Sequence, residues 1–150
     1  TMEEALMMAE RSITDGSALK KLEELVAAQN GDVAFIRNLD LLPKATIKMT
    51  ILVEKSGWVS VVDAKEVGES SVVLGAGRSK KDDKIDFGVG ILVKVKVGDK
   101  VTEKQPLFEI HANEEERLNQ VLHKLKNAVK IVDEPVEAPP YFWDVIGLDE

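Results

Sequence analysis

The residues best suited to chemistry lie in one stretch, 74–101. Gly75 and Gly77 open it, Arg78, Lys80, Lys81 and Lys84 supply cations, and Asp82, Asp83 and Asp86 supply anions. Gly88 and Gly90 close it, ahead of an apolar run and a Gly98-Asp99 turn. Paired glycines let a backbone turn sharply or come close to a ligand, and clustered cations can meet an anion. The start resembles a dinucleotide-binding fingerprint, but Lys80 stands where the third glycine belongs, and no Gly-Lys-Ser/Thr follows. Both nucleotide-loop readings therefore fail. Two readings stay open. In one the stretch is a mobile lid, with Gly75 and Gly77 at one end, Gly88 and Gly90 hinging the other, and Arg78, Ser79, Lys80 and Lys81 between them. In the other it is a solvated, salt-bridged hairpin whose aspartates balance its cations. Composition by itself favours the hairpin, because most charged loops are only loops.

Other candidates are weaker. His111 follows a strand and His123 sits on a helix, and neither belongs to a metal-ligand spacing, so both read as packed or solvated histidines. Asp82-Asp83 and Glu114-Glu115-Glu116 lack calcium-loop spacing and read as a solvated loop and a helix start. With no cysteine, disulfide and thiolate chemistry are excluded.

The elements that must hold the stretch follow from periodicity. Met2, Leu6, Ala9 and Ile13 lie on one helical face, with Thr1 as its cap, and Asp15-Gly16 breaks the helix. A second helix is predicted over 17–28, with Ser17 as N-cap, Leu19, Leu22 and Val26 on one face, and Asn30-Gly31 as its stop. A helical turn fits 32–38, and Leu41-Leu42-Pro43 marks a change of texture. From Ala45 the period becomes two, with Ala45, Ile47, Met49, Ile51 and Val53 on one face of a strand. Residues 58–62 give a second strand. Asp63 and Glu66 make a capping-box pattern for a short helix over 64–71, and Val72-Val73-Leu74 leads into the loop. Strands are predicted over 91–97 and 106–110. Leu118, Val121, Leu122, Leu125, Val129 and Val132 then form one long helical stripe, capped by Asn113 and Glu116, with acids at its start and lysines toward its end. Pro139-Pro140 and the aromatics Tyr141, Phe142 and Trp143 suggest an extended arm whose rings need burial.

This order of elements is α+β rather than a βαβ series. Three parts are expected: a helical segment over 1–42, a domain over 43–134 and a tail over 135–150. The 150 residues, 44% of them apolar, suffice for a real core and can bury roughly 70% of the surface exposed on unfolding. A net charge of −7 argues against nucleic acid or an anionic membrane as partner of the whole surface. No apolar run reaches membrane-spanning length. The absence of cysteine fits a reducing cytosol, so a cytoplasmic location is expected. The opening Thr1-Met2-Glu3-Glu4 reads as a cut within a longer chain.

Residues 95–110, with Gly98-Asp99, Val101 and Phe108-Glu109-Ile110, resemble the repeating phrase of biotinyl and lipoyl domains. In those domains a modified lysine should follow; here Asn113 and Glu114 hold its place and a helix begins. The resemblance supports a flattened-barrel fold, and leaves a non-catalytic carrier or interaction module as the alternative function.

A wider set of residues, in order, resembles the C-terminal part of the pyrimidine-nucleoside and thymidine phosphorylases. The set runs from Leu25-Val26-Ala27-Ala28-Gln29-Asn30-Gly31-Asp32 through Gly57-Trp58-Val59-Ser60-Val61-Val62-Asp63-Ala64 to Val67-Gly68. It continues with Leu74-Gly75-Ala76-Gly77-Arg78, Asp83-Lys84-Ile85-Asp86 and Gly88-Val89-Gly90, then Gly98-Asp99-Lys100-Val101, Gln105-Pro106-Leu107 and Ile110-His111-Ala112. The resemblance implies an α/β-hammerhead with barrel-sandwich-like antiparallel strands, preceded by a helical segment and followed by a long helix. It implies a homodimeric pentosyltransferase of pyrimidine salvage, in which pyrimidine nucleoside and phosphate give free base and (deoxy)ribose 1-phosphate. Inorganic phosphate is then a co-substrate, and no cofactor is expected in this chain.

The family's glycine-rich Lys-x-Ser-x-Gly-Gly phosphate motif, and the residues that hold the pyrimidine, are absent here. No catalytic residue carries over, and the expected partner is the N-terminal part of the parent enzyme. What carries over is the 75–90 loop, as a segment that borders the cleft and can order when the domains close. This implication strengthens the lid reading.

Overall fold

The structure is a computed structural model that describes residues 1–142 and 144. The chain divides into two compact units, the first Thr1–Pro43 and the second starting at Lys44.

The first unit is helical. Helix α1 (Met2–Thr14) is capped by Thr1 in a capping box with Glu4, as the sequence predicts, and Asp15 is its C-cap. Helix α2 spans Ser17–Ala28. Its N-cap is Gly16, in the left-handed region at φ 78°, and not Ser17. The Asp15 carboxylate reaches over to accept from the Ser17 N–H at 2.9 Å, which leaves Ser17 as the first helical residue. A short α3 (Ala34–Arg37) and a 3-10 turn (Leu39–Leu41) complete the unit. No residue of this unit is buried, and Leu6, Ile13 and Leu19 remain exposed.

The second unit mixes helix and sheet, an α+β fold with two antiparallel three-stranded sheets, neither closed. Strands β1 (Ile47–Leu52), β2 (Gly57–Val62), β3 (Gly90–Val93), β4 (Lys100–Val101), β5 (Pro106–Ala112) and β6 (Val129–Val132) are ordered β1-β5-β3 in one sheet and β4-β2-β6 in the other. Helix α4 (Ala64–Leu74) packs on helix α5 (Glu115–Asn127), and α5 lies on β5 and β1. Val53, Val59, Val101, Phe108, Ile110, Val121 and Leu125 form the innermost core. Register explains much of it. Ile51 pairs with Phe108 and both are buried, while Thr50 pairs with Glu109 and Lys48 with His111 on the opposite face; Met49, opposite Ile110, stays exposed.

Besides the Ser17 cap and the two-residue β4, for which periodicity predicts no strand, four segments differ from the periodicity reading. First, α4 continues to Leu74, so Val72-Val73-Leu74 are its last turn and not an apolar lead-in. Asp63 caps it, accepting from Lys65 N and Glu66 N, and Gly75 ends it at φ 108°.

Second, β3 stops at Val93 instead of running to Val97. Lys94 still donates to the Leu107 carbonyl at 3.0 Å, but Gly98 donates to Val59 in the other sheet at 2.9 Å. The intervening residues cross from one sheet to the other, so no single ladder can hold them.

Third, the long apolar stripe is not one helix. α5 ends at Asn127, and Val129–Val132 form β6, antiparallel to β2. The Asp63 N–H donates to the Ala128 carbonyl at 2.8 Å and so satisfies a helix-end acceptor. The Val-Lys-Ile-Val run has β-branched residues suited to a ladder, and its valines also fall at helical spacing from Leu125, which is why the stripe looked continuous.

Fourth, β5 extends to Ala112, two residues beyond the predicted end, and α5 takes Glu114 as N-cap without any side-chain cap bond. Asn113, predicted as a cap, has other partners.

Beyond β6, residues 135–142 carry no regular secondary structure. Tyr141 and Phe142 are more than four-fifths exposed, and Trp143 lies outside the described residues. Among the described residues no helix is long and apolar enough to cross a membrane.

Candidate functional site

The charged loop leaves the packed body at the end of α4 and returns before β3. Gly75 turns the chain out in a left-handed conformation that side chains rarely adopt. A Cβ there would also stand 3.1 Å from the Arg117 guanidinium, which reaches in from α5. Gly77 sits close against Val72, whose Cγ2 a Cβ would meet at 2.8 Å. At the far end Gly88 is buried, and a Cβ would press on the backbone of Lys44 and Ala45 at 3.2 and 3.3 Å. Gly90 begins β3, opposite His111. The loop closed between Gly75 and Asp86 is thus 76–85, of which Ala76 still packs against the core.

Its aspartates organise backbone rather than neutralise lysines. The Asp83 carboxylate accepts from Ser79 N at 3.0 Å and from Lys80 N at 2.8 Å, which folds the loop tip on itself. The Asp86 carboxylate accepts from Gly88 N at 2.9 Å and from the Asn113 side-chain amide at 2.7 Å. These two donors, the Asn113 amide above all, hold the Asp86 carboxyl below its ordinary value, and the nearby Arg117 charge adds to them against a small cost of burial. Arg78, Lys80, Lys81 and Lys84 make no side-chain ion pair or hydrogen bond among the described residues. The salt bridges expected of the hairpin reading are not formed.

Beneath the loop lies an open cleft of about 710 Å³. It is lined by Val72 and Val73 of α4, by Ser79, Asp83 and Lys84 of the loop, and by Arg117 and Gln120 of α5. Arg117 pairs with Glu114 at 3.0 Å. Gly75, Gly77 and Ser79 therefore border the cleft, Gly88 and Gly90 do not line it, and the Arg78, Lys80 and Lys81 side chains are exposed.

The remaining candidates find partners elsewhere. His111 Nε2 lies 2.6 Å from a Glu109 oxygen, and Lys94 lies 3.4 Å from the other. His111 first, and then Lys94, holds the Glu109 carboxyl below its ordinary value. The Asn127 amide stands 3.1 Å from the His123 ring. Among the described residues no group of three or more histidine, cysteine or carboxylate side chains could hold a metal. Periodicity missed Asn113, Arg117 and the four-fifths exposed Phe87 beside the loop root. The sequence signals for Asn113 were its place ahead of a helix, which reads as a cap, and its position where a carrier domain would hold its lysine.

Comparison with known proteins now adds to this geometry. The chain is 41% identical over 131 residues to the pyrimidine-nucleoside phosphorylase of Staphylococcus haemolyticus, an overlap of 87% of this chain and 30% of that protein. It is 36% identical over 147 residues to the pyrimidine-nucleoside phosphorylase of Geobacillus stearothermophilus, covering 98% of this chain and 34% of that one. A Staphylococcus aureus protein of the same description is 37% identical over 136 residues, 91% of this chain and 31% of its own. The chain thus spans about a third of the length of the curated relatives it matches. The profile of the pyrimidine nucleoside phosphorylase C-terminal domain matches residues 58–132, which take in α4, α5, the loop and every strand except β1 and the first residue of β2, and the chain belongs to that family.

Proposed function

We propose that the chain serves as the C-terminal domain of a pyrimidine-nucleoside phosphorylase. In that enzyme a pyrimidine nucleoside and inorganic phosphate give the free base and (deoxy)ribose 1-phosphate. The observation that carries this reading is the joint one of family and extent: the domain profile covers half of the chain, and relatives described as pyrimidine-nucleoside phosphorylases align with nearly all of it. The residues that bind phosphate and base belong to the N-terminal part of the enzyme. This domain contributes scaffold and a lid. The working form is a cytoplasmic homodimer of nucleoside salvage, with phosphate as co-substrate and no cofactor on this domain.

Three features support the lid. Loop 76–85 borders an open cleft, its root is tied to the body, and its four cations make no side-chain ion pair among the described residues. A cation-bearing loop that closes over phosphate and nucleoside would gain ion pairs it lacks when open, and would exclude water from a charged transition state.

The test is a hybrid in which this chain replaces the matching C-terminal third of the Staphylococcus haemolyticus enzyme. The hybrid should phosphorolyse uridine or thymidine, and the isolated 150-residue chain should not. A folded but inactive hybrid, or turnover by the pure isolated chain, would overturn the assignment.

A further inference from the structure

Asn113 joins three separate segments through one side chain. Its Oδ1 accepts from Thr46 N at 2.8 Å and from Thr46 Oγ1 at 3.1 Å, at the entry to β1. Its Nδ2 donates to Asp86 Oδ2 at 2.7 Å, at the root of the loop. The residue itself follows the last residue of β5. The orientation of the amide is fixed by its partners, because a backbone N–H can only donate and a carboxylate can only accept. Asp86 then passes the constraint on. Its other oxygen accepts from Gly88 N at 2.9 Å, and its own N–H donates to the Gly75 carbonyl at 2.9 Å. The Asn113 amide is therefore the outer tie of a clasp that closes the loop at both ends.

A hydrogen bond from an amide to a carboxylate is charge-assisted, and stronger than one between neutral groups. Neither of asparagine's isosteres, aspartate and leucine, can both accept from Thr46 and donate to Asp86. Aspartate would keep the first contact and set two carboxylates against each other in the second. Alanine would lose both.

We propose that Asn113 is a positioning residue of the loop: acting through Asp86, it fixes the root from which residues 76–85 reach over the cleft. Its consequence for turnover rests on the phosphorylase reading; the clasp itself does not. In a carrier domain the equivalent place presents a lysine outward for modification. Here it holds a side chain turned back to tie down a neighbouring loop.

Amide hydrogen exchange on this 150-residue chain tests the clasp. N113A and N113D should lower protection at the Gly88 and Asp86 amides by roughly tenfold, while Ile110 and Leu125 in the core keep theirs. Unchanged exchange at Gly88 and Asp86 overturns the proposal. Should both variants lose protection throughout the domain, D86N decides it, because it removes the charge and spares Asn113. Opening confined to the loop root then supports the clasp, and native protection at Gly88 overturns it. The hybrid enzyme tests the consequence. There N113D should lower kcat roughly tenfold to a hundredfold, as a misplaced positioning element does, with KM for the nucleoside nearly unchanged. An inactive parent hybrid counts against the phosphorylase reading alone, and the exchange result then decides the clasp. An active hybrid indifferent to N113D overturns the positioning role.

Discussion

Asp86 donates its backbone N–H to the Gly75 carbonyl across 2.9 Å, so the charged loop is closed at its base by main chain, before any side chain acts. That bond lets the loop's contribution to stability be tested apart from its proposed role as a lid. Deleting residues 78–83 leaves Ala76, Gly77, Lys84 and Ile85 to span the same closed base. Shortening a ten-residue loop to four changes closure entropy by only about 0.8 kcal/mol, in favour of the shorter loop. The removed cations make no side-chain ion pair among the described residues, so little is lost from the folded state. The expected outcome is a thermal midpoint close to that of the parent and a turnover of the hybrid enzyme more than tenfold lower. Unchanged kinetics would sink the lid.

The same base carries a pH dependence. Asp86 has a folded pKa lowered from 3.8, through Asn113 first and then Gly88. A group whose folded pKa is depressed adds stability above its unfolded value and loses it as pH falls through the folded one. The Asp86 contribution is therefore complete well above its ordinary value of 3.8 and is lost progressively as pH falls from there through the lower folded value. Carboxyl-carbon NMR should find Asp86 titrating below 3.8 in the parent and higher in N113A. Titration of the parent at the ordinary value would count against the clasp.

What the sequence revealed divides along a physical line. Helices α1 and α2, strands β1 and β2, the Asp63 cap and the turn at Gly75 all follow from local rules of period, cap and glycine. β6 did not, because apolar residues at 125, 129 and 132 satisfy a helix as well as a strand. Only pairing with β2, some seventy residues earlier, separates the two, as at Ser60 and Lys130. The crossing after Val93 has the same origin. For the site, glycines and charges marked the loop, yet the residue that ties it down is 27 positions from Asp86 and 67 from Thr46. No spacing rule reaches that far, and an asparagine ahead of a helix reads locally as a cap.

Ser70 offers a test of the interior. It lies on α4 with no exposed surface, and its hydroxyl is the one buried side-chain polar atom without a hydrogen-bond partner among the described residues. A buried polar group left unpaired costs about 1–3 kcal/mol, and alanine is the better helix former. Ser70→Ala should raise the stability of the domain by about 1 kcal/mol in urea unfolding. A lower midpoint would mean that the hydroxyl is satisfied in solution, and the prediction would fail.

Two glycines give opposite expectations for one substitution. Gly57 begins β2, and a Cβ there would stand 2.5 Å from the Val132 carbonyl oxygen and 2.7 Å from Ile131 Cγ2, both on β6. The first obstacle is backbone that is bound into the ladder, so Gly57→Ala must push β6 away from β2. Overpacking of this kind costs about 1–3 kcal/mol. Gly68 lies within α4 with nothing within 4 Å of its Cβ position, and Gly68→Ala should stabilise by about 1 kcal/mol through helix propensity. Urea unfolding of both variants compares the two directly. If β6 were instead the last turn of α5, as its apolar spacing suggests, Gly57 would have no neighbouring strand to meet and its substitution would be tolerated. Loss of stability in Gly57→Ala beside a gain in Gly68→Ala therefore tests in solution the β2–β6 pairing that periodicity missed.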